Sequence, residues 1–243
     1  MKRAGLSVAV LLGLAVPAPA PAPAVAVASQ VMVVGDERVL RTPVSVTLRA
    51  RTVSVGGRRC AAGRATPLSV LAGSRLRLRL RDYGSCGRSP RNSGGLFVTS
   101  VGSEANRGND GWVYKVGRRS GTAGAADPGG SFGNGRRLRG SDRVLWFWCV
   151  QDGQQHCQRT LEATPERSVV DRGAQLRVRV RAYDDFGRAV PAAGAIVRLS
   201  TARAVVGADG VATLTVPALS GGASVFATGA GAVRSFSERV TIR

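Results

Sequence analysis

The chain is short of acid. Its 243 residues hold 15 Asp and Glu against 35 Lys and Arg, which gives a net charge of +20. Lysine is scarce as well: Lys2 and Lys115 are the only two, so arginine carries nearly all of the positive charge. There is one histidine, His156, and there are four cysteines. Each scarcity excludes something. One histidine and no C-x-x-C spacing do not match the ligand pattern of a tetrahedral zinc site, which leaves the metal reading weak. A Ser-His-Asp or Cys-His arrangement needs a positioned base, and His156 sits beside Cys157 in a polar loop. Asp127, Asp142 and Asp152 fall in loops or turns, without the paired carboxylate that glycoside hydrolysis requires. Gly129-Gly130 lacks the following Gly-Lys-Ser/Thr of a phosphate loop. These absences predict a protein that is not an enzyme and carries no metal or cofactor.

What is present begins with an export signal. Met1-Lys2-Arg3 precedes an apolar run over 4–16 and a Pro/Ala stretch ending Ala26-Val27-Ala28. A positive start, a short apolar segment and an A-x-A site predict a secretory signal peptide over 1–28, with cleavage after Ala28 or, alternatively, Ala26. The run is too short to span a bilayer comfortably, although an uncleaved anchor is the competing reading. The mature chain is expected to be secreted, extracellular and without a transmembrane segment. Losing Lys2 and Arg3 would leave a charge of 20 − 2, or +18.

Four cysteines in an exported chain predict two disulfides, for which three pairings exist. Cys149–Cys157 across a hairpin, with Cys60–Cys86, is the favoured set. On the chain-entropy model they would contribute about 2.5 and 3.5 kcal/mol.

Alternation with a period of two dominates the rest. Strands are predicted over 44–55, followed by a Gly56-Gly57 turn, and over 75–81, 94–101, 111–116 and 144–149. One short helix is expected over 66–72, with Thr66 as its cap, Pro67 at the first helical position and Gly73 at its end. A long Gly/Ala/Arg-rich loop covers 117–140. Composition changes near Thr164-Pro165, after which short strands recur at 175–183, 195–200, 211–216, 223–227 and 236–242. That spacing predicts a β-sandwich. The chain therefore divides into 29–164 and 165–243, and its fold class is mainly β.

Two resemblances refine this organisation. Gly111-Trp112-x-Tyr114-x-Val116 and Leu138-x-x-Ser141-Asp142-x-Val144-x-Trp146-x-Trp148 resemble a bacterial domain family of unknown function. That family is related to the C-terminal domain of transcobalamin and intrinsic factor. The resemblance implies a β-grasp-like α+β domain with one short helix and, more remotely, a corrinoid as ligand. Val116-Gly117-Arg118 departs from the family's Val-Asn-Gly, and Ser141 stands where a Gly is usual. Ala182-Tyr-Asp-Asp-Phe-Gly187, Val190-Pro191, Gly194-Ala195-x-Val197 and Asp209-Gly210-x-Ala212 resemble a bacterial immunoglobulin-like domain, which implies a spacer or adhesion module.

Two sets of residues are candidates for binding. Trp112 and Tyr114 share one face of their strand, and Trp146 and Trp148 share one face of theirs. They read either as a packed core around a disulfide or as the wall of a groove for a flat or sugar-like ligand. Arg75, Arg77, Arg79 and Arg81 form one row, and Arg177, Arg179 and Arg181 another. Such rows are either solvated strand faces or contacts for an anion, and the shortage of acids favours the anion. No motif that reads nucleic-acid grooves is present, so no specific nucleic acid is expected. The sequence thus predicts a noncatalytic binding or adhesion module, held at the cell surface by an anionic wall polymer or polysaccharide. A secreted carrier of a small planar ligand is the alternative.

Overall fold

A computed structural model describes residues 26–84, 86, 87 and 94–243. Most of the predicted signal segment lies outside the described residues. Among those residues, no helix is long and apolar enough to cross a membrane.

The first module is built on a mixed sheet. Strand β1 (Ala28–Val34) pairs antiparallel with β2 (Val39–Thr47). The chain then makes a hairpin from β3 (Arg51–Val55) and β4 (Arg58–Ala62) and the helix α1 (Pro67–Gly73). A second small sheet follows, formed by β5 (Leu78–Asp82), β6 (Leu96–Val101) and β7 (Glu104–Ala105). It returns through β8 (Gly111–Val116), β9 (Arg119–Ser120) and β10 (Arg143–Cys149). The main sheet has the order β2-β1-β10-β8-β9. Its first and last strands, β1 and β10, lie parallel at its centre. Parallel neighbours need a long crossover, and the helix-bearing segment supplies it. The result is a β-grasp-like arrangement.

The central strands are buried on both faces, as their continuous apolar runs require. On one face, Trp112, Tyr114, Trp146 and Trp148 pack with Val31, Val33 and the helix residues Leu68 and Leu71. On the other, Met32, Leu145, Phe147 and Cys149 pack against Val233 and Phe236 of the second module. The helix forms where its cap signals place it. The Thr66 hydroxyl accepts from the Ser69 amide, and the Ser69 side chain accepts from the Thr66 amide. At under two turns it is held by its buried face, with residues 67–71 all buried.

Two sequence expectations are corrected. The predicted strand over 44–55 is split, because β2 ends at Thr47 and β3 starts at Arg51. Between them the Arg49 amide bonds back to the Thr47 carbonyl, while the Leu48 amide pairs with Val27. The chain turns there and leaves the main sheet for the β3–β4 hairpin, whose Gly56-Gly57 turn takes φ of 55° and 81°. Positive φ at both turn residues suits a type I′ hairpin. The predicted strand over 75–81 starts only at Leu78. Arg75 has a φ of 64°, a left-handed turn after the helix.

The second module is an immunoglobulin-like sandwich. One sheet joins β11 (Thr160–Pro165), β13 (Gln175–Tyr183) and β14 (Ala189–Pro191), with β17 (Val211–Thr215) also on β13. The other runs β12 (Val169–Val170), β19 (Glu238–Ile242), β18 (Gly221–Thr228), β15 (Ile196–Leu199) and β16 (Ala202–Val205). Strand β11 crosses the composition change at Thr164-Pro165 and pairs along its length with β13. Strand β13 alternates strictly: Leu176, Val178, Val180 and Ala182 enter the core and the arginines face out.

Both disulfides of the favoured set are present, Cys60–Cys86 and Cys149–Cys157. They are compatible with an extracellular protein. Replacing Cys60 and Cys86 by serine should lower unfolding stability by about 3.5 kcal/mol, and Cys149 and Cys157 by about 2.5 kcal/mol. Urea unfolding of the two double variants checks both the order and the size.

Candidate functional site

The aromatic residues divide. In the β8–β10 register Tyr114 lies opposite Trp146 and Trp112 opposite Trp148. Ring centroids are 5.3 Å apart in the first pair and 5.9 Å in the second, the latter edge to face. Their polar atoms are mostly spent on the fold. The Trp146 indole donates to the Pro67 carbonyl at 3.3 Å, and the Trp112 indole to the Glu104 carbonyl at 3.0 Å. The Tyr114 hydroxyl donates to the Ala123 carbonyl at 2.7 Å. Burial raises the pKa of that phenol well above its usual range, with the Asp127 charge adding to the effect.

Trp112, Tyr114 and Trp146 line a cleft of about 470 Å³ between β6, β8 and the 121–125 loop. Its mouth carries Tyr83 and Phe97, which are exposed and meet edge to face at 6.3 Å. Trp148 does not reach this cleft. It lines a separate hollow with Asp36, Glu104 and Arg107, and the Arg107 guanidinium stacks over its ring at 5.1 Å. The four aromatics are therefore one core, with a cleft beside three of them and a separate hollow beside Trp148.

All seven candidate arginines are exposed. Arg177, Arg179 and Arg181 project from β13 into a groove of about 650 Å³ that Arg118 also lines. Acids reach part of it: Glu162 lies opposite Arg181 in the sheet, and Glu166 stands at the groove's edge. Glu162 is clamped by both guanidinium arms of Arg118, at 2.9 and 2.7 Å. Arg79 and Arg81 project from β5, and Arg81 stacks over Tyr83 at 5.0 Å. Arg75 and Arg77 precede the strand, yet all four stay outward while Leu76, Leu78 and Leu80 pack on the core. Among the described residues, none of the seven takes part in an ion pair.

The candidate bases and acids do not gather. His156 is half exposed, with Nδ1 4.0 Å from an Asp152 carboxylate oxygen. Asp152 serves its own loop, accepting from the amides of Gln154 and His156, which holds its carboxyl below the usual range. Asp184 likewise accepts from the amides of Phe186 and Arg188.

Sequence reasoning missed the contact between the modules. Lys115 is fully buried there. Its ammonium donates to Thr160 Oγ1 at 3.2 Å and to the carbonyls of Tyr183 and Asp184 at 3.2 and 2.9 Å. It lies 3.7 Å from the Asp185 carboxylate. Asp185 also accepts from the Ser120 hydroxyl at 2.7 Å and the Cys157 amide at 3.0 Å. Burial pulls the Lys115 pKa down to about 8, against the opposing pull of Asp185 and Asp184. The one available signal was a lone lysine inside an otherwise apolar strand.

No family model matches the chain, and no curated protein matches it. Among solved structures it is similar to the Escherichia coli adhesin FdeC, at 16% identity and a TM-score of 0.30. That alignment covers 89% of this chain and 63% of FdeC, so the chain spans less than two thirds of that structure. It is also similar to murine CEACAM1b, at 12% identity and a TM-score of 0.22, over 89% of this chain and 100% of that one. Neither likeness is high enough to assign a family.

Proposed function

We propose that this chain is an exported, noncatalytic binding module that holds an anionic polymer of the cell surface through its arginine rows. One observation carries the reading: seven arginines stand exposed and without ion pairs among the described residues, in a chain with 35 basic and 15 acidic residues. On β13, where Arg177, Arg179 and Arg181 are alternate strand residues, the repeat is ~6.6 Å, a spacing that offers a ladder of forks to a polymer with regularly repeated charge. Arginine suits this task, because its planar fork meets phosphate and carboxylate in pairs of hydrogen bonds. The clamped Glu162 leaves the Arg177, Arg179 and Arg181 guanidinium groups for the polymer.

Immobilised polyphosphate is the probe. Replacing Arg177, Arg179 and Arg181 together by glutamine should weaken binding at least tenfold, and adding Arg75, Arg77, Arg79 and Arg81→Gln should abolish it. Wild-type affinity in the sevenfold variant would sink the reading. The alternative, a carrier of a planar ligand such as a corrinoid, rests on the apolar cleft beside Trp112, Tyr114 and Trp146. Titration of the tryptophan fluorescence with cobalamin tests it.

A further inference from the structure

The cleft beside Trp112 and Tyr114 is bounded by β6 and by the stretch of the β8 edge that β9, paired at Lys115 and Val116, leaves uncovered. Just before β6 the Gly95 carbonyl accepts from Tyr83, and Phe97 pairs with Arg81 of β5, so up to the irregularity after Val98 the backbone groups of residues 95 and 97 face β5. The groups of Leu96 and Val98 face the other way. In β8 the Gly117 amide bonds to the Arg143 carbonyl, so residues 111, 113 and 115 turn their backbone toward β10. Trp112 and Tyr114 turn theirs the other way, where the Tyr114 carbonyl accepts from the Gly121 amide at 3.0 Å and the rest of the edge faces the cleft.

At the closed end, one side chain joins the two edges. The Asn106 amide nitrogen donates to the Val98 carbonyl at 3.1 Å, and its oxygen accepts from the Trp112 amide at 3.0 Å. A side-chain amide thus does there what a peptide group of an intervening strand would do. Past Asn106 the edges part and the cleft opens. The N–H and C=O of Leu96, the N–H of Val98, the C=O of Trp112 and the N–H of Tyr114 have no protein partner among the described residues. All four residues are buried, where an unpaired backbone group costs about as much as a lost hydrogen bond.

We propose that this cleft takes an extended peptide strand of a partner protein, continuing the line that Asn106 begins. Strand addition to an exposed edge draws its affinity from main-chain hydrogen bonds and its selectivity from alternate side chains. The two sides of the β8 edge differ as that mode requires. Trp112, Tyr114 and Trp146 wall one side, and Val113 with Gln151 and Gln155 lies on the other. Gly94 and Gly95 line the β6 side of the cleft without a side chain. The peptide therefore alternates small apolar residues with polar ones. It carries no positive charge, because Arg81 stands over Tyr83 at the mouth of a chain with net charge +20. This proposal is independent of the arginine rows.

The probe is a pool of acetylated, amidated hexapeptides alternating Ala or Val with Ser or Thr, titrated against the whole chain by tryptophan fluorescence. Binding should slow hydrogen exchange at the amides of Leu96, Val98 and Tyr114. N-methylation of the peptide at alternate residues leaves the side chains in place but removes the pairing, and should weaken binding at least tenfold. Val98→Pro should do the same relative to Val98→Ala, since only the former removes the outward N–H. Three results would overturn the proposal. Equal affinity of the N-methylated peptides would leave an apolar small-molecule site. Protection of the three amides in the free protein would mean that the chain covers its own edges. No binding of the pool at millimolar concentration would leave no strand site.

Discussion

Replacing Trp146 by alanine is expected to destabilise the first module by ~3–5 kcal/mol, the usual cost of removing a large buried aromatic. Trp146 is 1% exposed, so almost none of its surface is available to a ligand. It packs on Tyr114, donates to the Pro67 carbonyl at the start of α1, and lies on the strand that pairs in parallel with β1. Its loss would uncouple the helix, the central strands and the floor of the cleft together. Trp146→Phe keeps most of the volume and gives up one hydrogen bond, so it should cost ~1–2 kcal/mol. Urea unfolding of the two variants measures the difference. If Trp146→Ala were as stable as the parent and lost only ligand binding, Trp146 would be a platform rather than a core residue.

Lys115 should have an effect of similar size and a pH signature of its own. Removing one member of a buried, hydrogen-bonded charge cluster costs ~3–5 kcal/mol, and Lys115→Ala leaves Thr160, two carbonyls and Asp185 facing a cavity. The loss should fall on the contact between the modules, where Met32, Leu145 and Phe147 meet Val233 and Phe236. The folded-state pKa, about 8, lies below the ordinary lysine value of 10.5. Between those values the unfolded chain binds the proton and the folded chain does not, so stability rises with pH. Between pH 7 and 10 the gain is roughly 2–3 kcal/mol on the linkage relation. Below pH 8 the burial penalty is fully present. Lys115→Met fills the space without titrating and should lose this rise. Unfolding free energies of parent and Lys115→Met at pH 7, 8.5 and 10 decide the matter. Parallel pH curves would mean that Lys115 does not titrate in this window.

The parts of the fold that were legible in the sequence are those fixed by local chemistry. Thr66, Pro67 and Gly73 bound the helix because caps and φ restrictions act within one turn. The alternation of Leu176, Val178 and Val180 with arginine set the inward face of β13 because side chains on a strand alternate. The Cys149–Cys157 pairing followed from the short stretch of chain between the two residues, 8 apart in sequence. What stayed illegible is long-range. Nothing local to Leu48 or Arg49 announces a turn, which comes where the antiparallel pairing with the β1 segment ends at Val27. The parallel contact of β1 with β10 joins segments more than a hundred residues apart. Asn106 reads as an ordinary loop residue until both strand edges are in place around it. The arginine rows were visible as rows, whereas the clamping of Glu162 by Arg118 required the contact between the modules.

The most direct test of the central claim is the affinity of the purified chain for polyphosphate across a salt series. Binding through several guanidinium groups displaces counterions, so the logarithm of the association constant should fall linearly with the logarithm of salt between about 50 and 200 mM. A slope corresponding to four or more contacts would support the arginine rows as the binding surface, and its reduction in the Arg177, Arg179 and Arg181→Gln variant would assign part of it to β13. Affinity that does not change with salt, or no binding at the lowest salt, would contradict the account.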